Sequence, residues 1–124
     1  AELATGHLQG VTNGAALVLG LGLGGGFIIN GKLFQGSHFQ AGELTFLLPV
    51  QMEKVDPSLM RGMTLSAVGL ITKVNEVLGN SDLKDGLAAF KAINAGDKTV
   101  YSLFENYCRN LAITILNLQT IFDM

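Results

Sequence analysis

The chain has 124 residues, enough for one domain rather than two, with a formal net charge of −2 and only 15% charged residues against about 25% in an average soluble domain. A charge-rich disordered tail is excluded by the 48% hydrophobic content. A nucleic-acid binder is disfavoured, because the acidic balance offers no basic stripe to neutralise phosphates.

Glycine is unevenly spread. Of the 16 glycines, most fall within residues 1–42, where Glu2 and Lys32 are the sole formal charges. The single cysteine, Cys108, cannot close an internal disulfide and fits a reducing, cytoplasmic setting. The apolar stretch from Gly14 to Asn30 is interrupted by glycines and reads as strands and turns, not as a membrane span. No basic segment precedes an apolar run, so no signal peptide is read at the N-terminus.

In chain order, residues 1–14 are polar and punctuated by glycine, with Thr12-Asn13-Gly14 as a turn signal. Ala15 to Gly20 has the length of a buried strand. Gly20 to Gly26 reads as a glycine-rich turn, and Phe27-Ile28-Ile29 as a second strand. Asn30-Gly31 is a strong two-residue hairpin signal, which makes Lys32-Leu33-Phe34 the returning third strand. Gln35 to Arg61 holds both prolines, Pro49 and Pro57. It reads as a long functional loop with a short strand over Leu44 to Val50.

From Thr64 the period becomes helical. Leu65, Val68, Ile71, Val74 and Leu78 define a first helix, stopped by Gly79-Asn80. Ser81 is the expected N-cap of a second helix carrying Leu83, Leu87, Phe90 and Ile93, with Gly96 past its end. A third helix carries the stripe Val100, Phe104, Tyr107, Leu111, Ile115, Leu118 and Phe122. Its second half is uncharged and apolar nearly all round, so it should be buried on several sides, and it and the exposed sheet edge should find a partner by dimerisation or strand exchange. The expected organisation is one partial domain. A β-meander and loop occupy 15–50, and a three-helix segment occupies 64–122.

Several groups can carry chemistry. Glycines between two strands let backbone N–H groups approach an anion, because no Cβ stands in the way. The Gly20 to Gly26 run is therefore a phosphate cradle or a bulged turn with no ligand. It is neither a Walker loop, since no Gly-Lys-Ser/Thr follows, nor a dinucleotide fingerprint, since a strand follows and not a helix. Glu43, in Ala41-Gly42-Glu43, can accept hydrogen bonds from the vicinal hydroxyls of a sugar, or it is a solvated loop acid. His7 and His38 lack the ligand spacing of a structural zinc site. Cys108 reads as a small core residue of the third helix. Asp82 and Asp85 read as first-turn acids that favour the helix dipole.

The run from Val18 to Gly36 followed by Ala41-Gly42-Glu43 resembles the signature of the ROK family of repressors, open reading frames and sugar kinases. Asn94-Ala95-Gly96-Asp97, Arg109-Asn110-Leu111-Ala112 and Leu116-Asn117-Leu118 are similar to its late helices. The resemblance implies an α/β fold, as part of the C-terminal half of an actin-like, RNase H-like ATPase domain. It implies ATP- and Mg²⁺-dependent phosphorylation of a hexose, glucose or a glucoside, as in a glucokinase. By resemblance Gly20, Gly22, Gly24 and Gly25 lie along the phosphates, and Glu43 holds the sugar.

Leu21 stands where the family usually has a threonine. Phe46 stands where it commonly has a histidine, and the cysteine-rich zinc loop is absent, so no zinc is expected. The family's catalytic aspartate would lie just upstream of Ala1. The chain is therefore expected to be an internal fragment, inactive alone for want of a general base. The alternatives are the sugar-sensing part of a transcriptional regulator of the same family, and a non-catalytic interaction module.

Overall fold

The computed structural model describes residues 1–48 and 54–124. A short helix α1 (Glu2–Thr5) precedes three strands, β1 (Gly14–Leu19), β2 (Leu23–Ile29) and β3 (Lys32–Phe34). Two 3-10 turns follow, at Leu44–Phe46 and Pro57–Leu59. Then come α2 (Arg61–Thr64), α3 (Ala67–Leu78), α4 (Gly86–Asn94) and α5 (Lys98–Phe122). No described helix is long and apolar enough to cross a membrane.

The strands form an antiparallel sheet in the order β1-β2-β3. Register runs from Gly14 against Ile28 to Leu19 against Leu23, and from Phe27 against Phe34 to Ile29 against Lys32. Asn30 and Gly31 both have positive φ, 53° and 71°, the requirement of a type I′ turn, which is why this dipeptide closes the hairpin. The expected turn over Gly20 to Gly26 is shorter than the composition suggested. Gly24, Gly25 and Gly26 belong to β2, and the reversal uses only residues 20–22. Pairing β1 along its whole length supplies backbone hydrogen bonds that a wide glycine loop would leave unmade.

Two apolar clusters hold the elements together. Leu23, Phe27, Leu44, Leu65 and Leu118 pack between one face of the sheet and the second half of α5. Phe27 stacks on Phe122, with ring centroids 4.3 Å and planes 23° apart, a close stacked aromatic pair. Leu70, Val74, Ala89, Ile93 and Val100 form the second cluster, among α3, α4 and the first half of α5. Tyr107 packs against both clusters, and its hydroxyl donates to the Leu65 carbonyl at 3.1 Å. Burial, reinforced by the nearby Cys108, pushes its phenol above the usual range.

The helix ends are set by side chains. Ser66, Asp85 and Asp97 cap α3, α4 and α5 by accepting backbone N–H bonds, each satisfying donors that the helix leaves orphaned. Gly79 ends α3 as foreseen. The expected cap at Ser81 is displaced to Asp85. Asn75, fully buried, donates to the Leu83 and Asp85 carbonyls at 3.3 and 3.0 Å. It thereby keeps residues 80–85 as a loop. Leu87 is consequently 88% exposed, and Ala89 and Ile93 form the packed side instead. Asp82 lies in this loop, accepting from the Lys84 N–H, and is not a first-turn acid.

Three further expectations change. The strand over Leu44 to Val50 is a 3-10 turn at Leu44–Phe46, and Pro49 and Val50 lie outside the described residues. Cys108 is exposed, because the buried stripe of α5 runs through its neighbour Tyr107 and not through it. On the same stripe Ile115 is 44% exposed while Thr114 is buried. The Thr114 hydroxyl satisfies itself on the Asn110 carbonyl at 3.0 Å. The second half of α5 is packed on one side only, with Ile113, Leu116 and Ile121 also exposed.

Candidate functional site

The loop after β3 returns to the sheet at Gly42. This residue is buried, has φ of +96°, and any Cβ on it would collide with the Gly25 carbonyl. Glycine is required twice over at this position, by conformation and by space. Gly25 in turn leaves room for Leu44, since a Cβ there would meet Leu44 Cδ1 at 2.6 Å. The 3-10 turn is pinned by Thr45, whose hydroxyl donates to the Leu23 carbonyl at 3.1 Å and accepts from the Leu23 N–H at 3.3 Å. Gly42, Leu44 and Thr45 together fix Glu43 beside the start of β2, with its side chain facing solvent.

The reversal between β1 and β2 is anchored from the other side by α3. The Gly20 carbonyl accepts from Ala67 N at 2.9 Å and Val68 N at 3.3 Å, and from the Ser66 hydroxyl at 3.3 Å. The positive end of the α3 dipole is thus spent on orienting this carbonyl. No described peptide bond is cis. In a planar trans peptide the N–H points opposite to the C=O, so the Leu21 N–H is turned away from α3. A Cβ on Gly20 would meet nothing within 4 Å. The Gly20 N–H is itself taken by the Gly22 carbonyl at 3.1 Å, so an anionic group such as a polyphosphate would approach through the Leu21 N–H.

These two anchored segments meet in one hollow of about 230 Å³ lined by Val18, Gly20, Leu21, Gly22, Leu23, Gly24, Glu43 and Thr45. Three of the four expected glycines therefore share a hollow with Glu43. Gly25 does not line it and serves the seat of Leu44. A larger concavity lies elsewhere, an apolar trough of about 440 Å³ between α1 and the sheet face bearing Ala16, Val18 and Ile28. It has little polar lining with which to orient a substrate. His7 and His38 are exposed and outside the hollow. Among the described residues no three His, Cys, Asp or Glu side chains gather to hold a metal ion.

Two contributors escaped the sequence reading. Ser66 carried a usable signal, a serine just ahead of an apolar periodic run. Thr45 carried none, because its role depends on pairing across the fold with Leu23.

The profile of the ROK family matches residues 1–124. The chain belongs to the ROK family. Among solved structures, a Listeria monocytogenes protein described as a candidate N-acetylmannosamine kinase is 26% identical, with a TM-score of 0.87 over 99% of this chain and 43% of its own. A ROK family protein from Streptococcus pneumoniae, solved with sucrose, is 30% identical, with a TM-score of 0.74 over 92% of this chain and 38% of its own. A ROK glucokinase from Streptomyces griseus, solved with glucose and AMPPNP, is 24% identical, with a TM-score of 0.75 over 98% of this chain and 45% of its own. The fold is accordingly α/β, matching part of the actin-like kinase structures of the ROK family. The chain spans about two fifths of the length of these solved relatives. A sequence search of curated proteins finds no match.

Proposed function

We propose that this chain forms one wall of the cleft of an ATP-dependent hexose kinase, acting on glucose or a glucoside. The observation that carries the reading is the hollow in which the Glu43 carboxylate and the Gly20, Gly22 and Gly24 segment come together. In this reading Glu43 accepts hydrogen bonds from two sugar hydroxyls and fixes the sugar's orientation. The turn gives a polyphosphate close access to backbone N–H groups, the Leu21 N–H first among them. Gly25 contributes indirectly, by seating the loop that holds Glu43. When bound, ATP supplies the phosphoryl group, and Mg²⁺ neutralises the charge that develops during its transfer.

Glu43 is the one carboxylate lining the hollow among the described residues. Since it holds hydroxyls, the base that takes the proton comes from another part of the full-length protein. The setting in this reading is the cytoplasm, and the working unit is a homodimer. The exposed Ile113, Leu116 and Ile121 on α5 offer the apolar contact such a unit needs.

The test is Glu43→Gln in the full-length protein, with both ligands titrated separately. Gln keeps the shape and removes the charge, so the Kd for hexose should rise about tenfold or more, with nucleotide Kd changed less than about twofold. Equal effects on both ligands would remove Glu43 from a sugar site. A coupled assay with a hexose panel tests the chemistry itself. Sugar binding without turnover would move the reading to a sugar-sensing regulator. Binding of neither ligand would move it to a non-catalytic module.

A further inference from the structure

Resting on that reading, we infer that Ser66 and the Ala67 N–H are positioning groups for the phosphate chain of the nucleotide. They act through the peptide between Gly20 and Leu21 and do not themselves line the hollow. As an N-cap, Ser66 needs only to accept, and its hydroxyl oxygen takes the Gly69 N–H at 2.9 Å. The hydroxyl proton is left over, and it is donated to the Gly20 carbonyl at 3.3 Å. Ser66 is 8% exposed, so little water competes for that proton. The Ala67 and Val68 N–H groups close on the same carbonyl at 2.9 and 3.3 Å. Capping α3 requires none of these three bonds to Gly20.

What the grip fixes is one donor. Both polar groups of Gly20 are taken, its N–H by the Gly22 carbonyl and its C=O by α3. Among the described residues the Leu21 N–H has no hydrogen-bond partner. A peptide that begins at glycine turns over readily, because no Cβ hinders rotation, and a Cβ on Gly20 would meet nothing within 4 Å. Holding the carbonyl end stops that rotation and keeps the N–H end turned away from α3. Leu21, which carries this N–H, lines the hollow with Glu43. The positive end of α3 thus reaches an anion at one peptide's remove. A donor that need not reorganise when the anion arrives binds it more tightly. A phosphate chain uses that donor, whereas adenosine alone and a hexose held by Glu43 do not.

The experiment is calorimetric titration of the full-length protein with ATP, inorganic tripolyphosphate, adenosine and a hexose. Ser66→Gly removes the hydroxyl at little cost to the helix start. Ala67→Pro removes the shortest bond to the Gly20 carbonyl and suits the first helical position. Ser66 already has the extended backbone, φ −65° and ψ 120°, that proline asks of its predecessor. The Kd values for ATP and tripolyphosphate should rise together, about threefold in Ser66→Gly and about tenfold in Ala67→Pro. Those for adenosine and hexose should change less than about twofold. Ser66→Thr, whose hydroxyl also accepts and donates, should match wild type. Unchanged ATP and tripolyphosphate affinity in both variants, with wild type binding nucleotide and hexose, overturns the inference and leaves the kinase reading intact. Equal loss for all four ligands shows a general loosening of the fold and overturns it as well. Failure of wild type to bind ATP and tripolyphosphate overturns the kinase reading and the inference together.

Discussion

The sheet end and the helical end of this molecule are specified in opposite ways. In the helical end, side chains do the specifying. Ser66, Asp85 and Asp97 cap three helices, and Asn75 ties a loop through two carbonyls. In the sheet end, the decisive feature is side chains that are missing. Gly42 lies against the Gly25 carbonyl, and Gly25 gives its space to Leu44. A region built from close backbone contact is damaged by adding atoms, and a region built from interlocked side chains by removing them. The same difference explains why the hollow sits where it does. Backbone that is not covered by side chains is backbone that a ligand can reach.

Substitutions probe this contrast most sharply when read by hydrogen exchange, which reports regional stability. The largest effect should come from Gly42→Ala. Strain at positive φ and the clash with the Gly25 carbonyl together cost roughly 3 kcal/mol, and protection should fall in β2 while α4 keeps its own. Val74→Ala should act in reverse. Val74 is fully buried, so truncation should cost about 2 kcal/mol and open α3 and α4 with β2 little changed. Loss of protection spread evenly in both variants would show that the two ends do not behave as separate units.

Tyr107→Phe should have the smallest effect and the widest reach, because Tyr107 packs on both clusters. Removing its bond to the Leu65 carbonyl should cost about 1 kcal/mol. The pH dependence has a definite sign. The folded state raises the phenol's pKa from its usual 10.0, so it binds that proton more tightly than the unfolded chain. Its contribution is complete below about pH 10 and is lost as pH rises through the higher folded value. Wild type should therefore lose more stability than Tyr107→Phe between pH 9 and 11.5, on the order of that pKa range. Parallel curves would show that burial of the phenol is unimportant.

Much of the architecture was legible in local pattern. Asn30-Gly31 fixed the hairpin because its turn type admits few other residues. The three-and-four spacing from Leu65 to Leu78, with Gly79 after it, placed α3 within two residues. What local pattern missed was decided by partners far away in sequence. Asn75 moved the α4 cap from Ser81 to Asp85, because its amide reaches carbonyls eight and ten residues on. The region after Glu43 turned out as a 3-10 turn because Thr45 bonds to Leu23, 22 residues earlier. The site divides along the same line. Glycines and Glu43 were visible as residue types, whereas their convergence depended on Gly42 and Thr45, whose roles are set by Gly25 and Leu23 far away in sequence.

The Gly20 carbonyl has a mechanical consequence. It is gripped by the first amides of α3, a helix of 12 residues and so about 18 Å long. At the far end of that rod, Asn75 is bolted to the loop leading into α4. The reversal between β1 and β2 is thus not a free tip but the end of a lever. One helix ties the geometry of the glycine reversal to the loop that leads into α4.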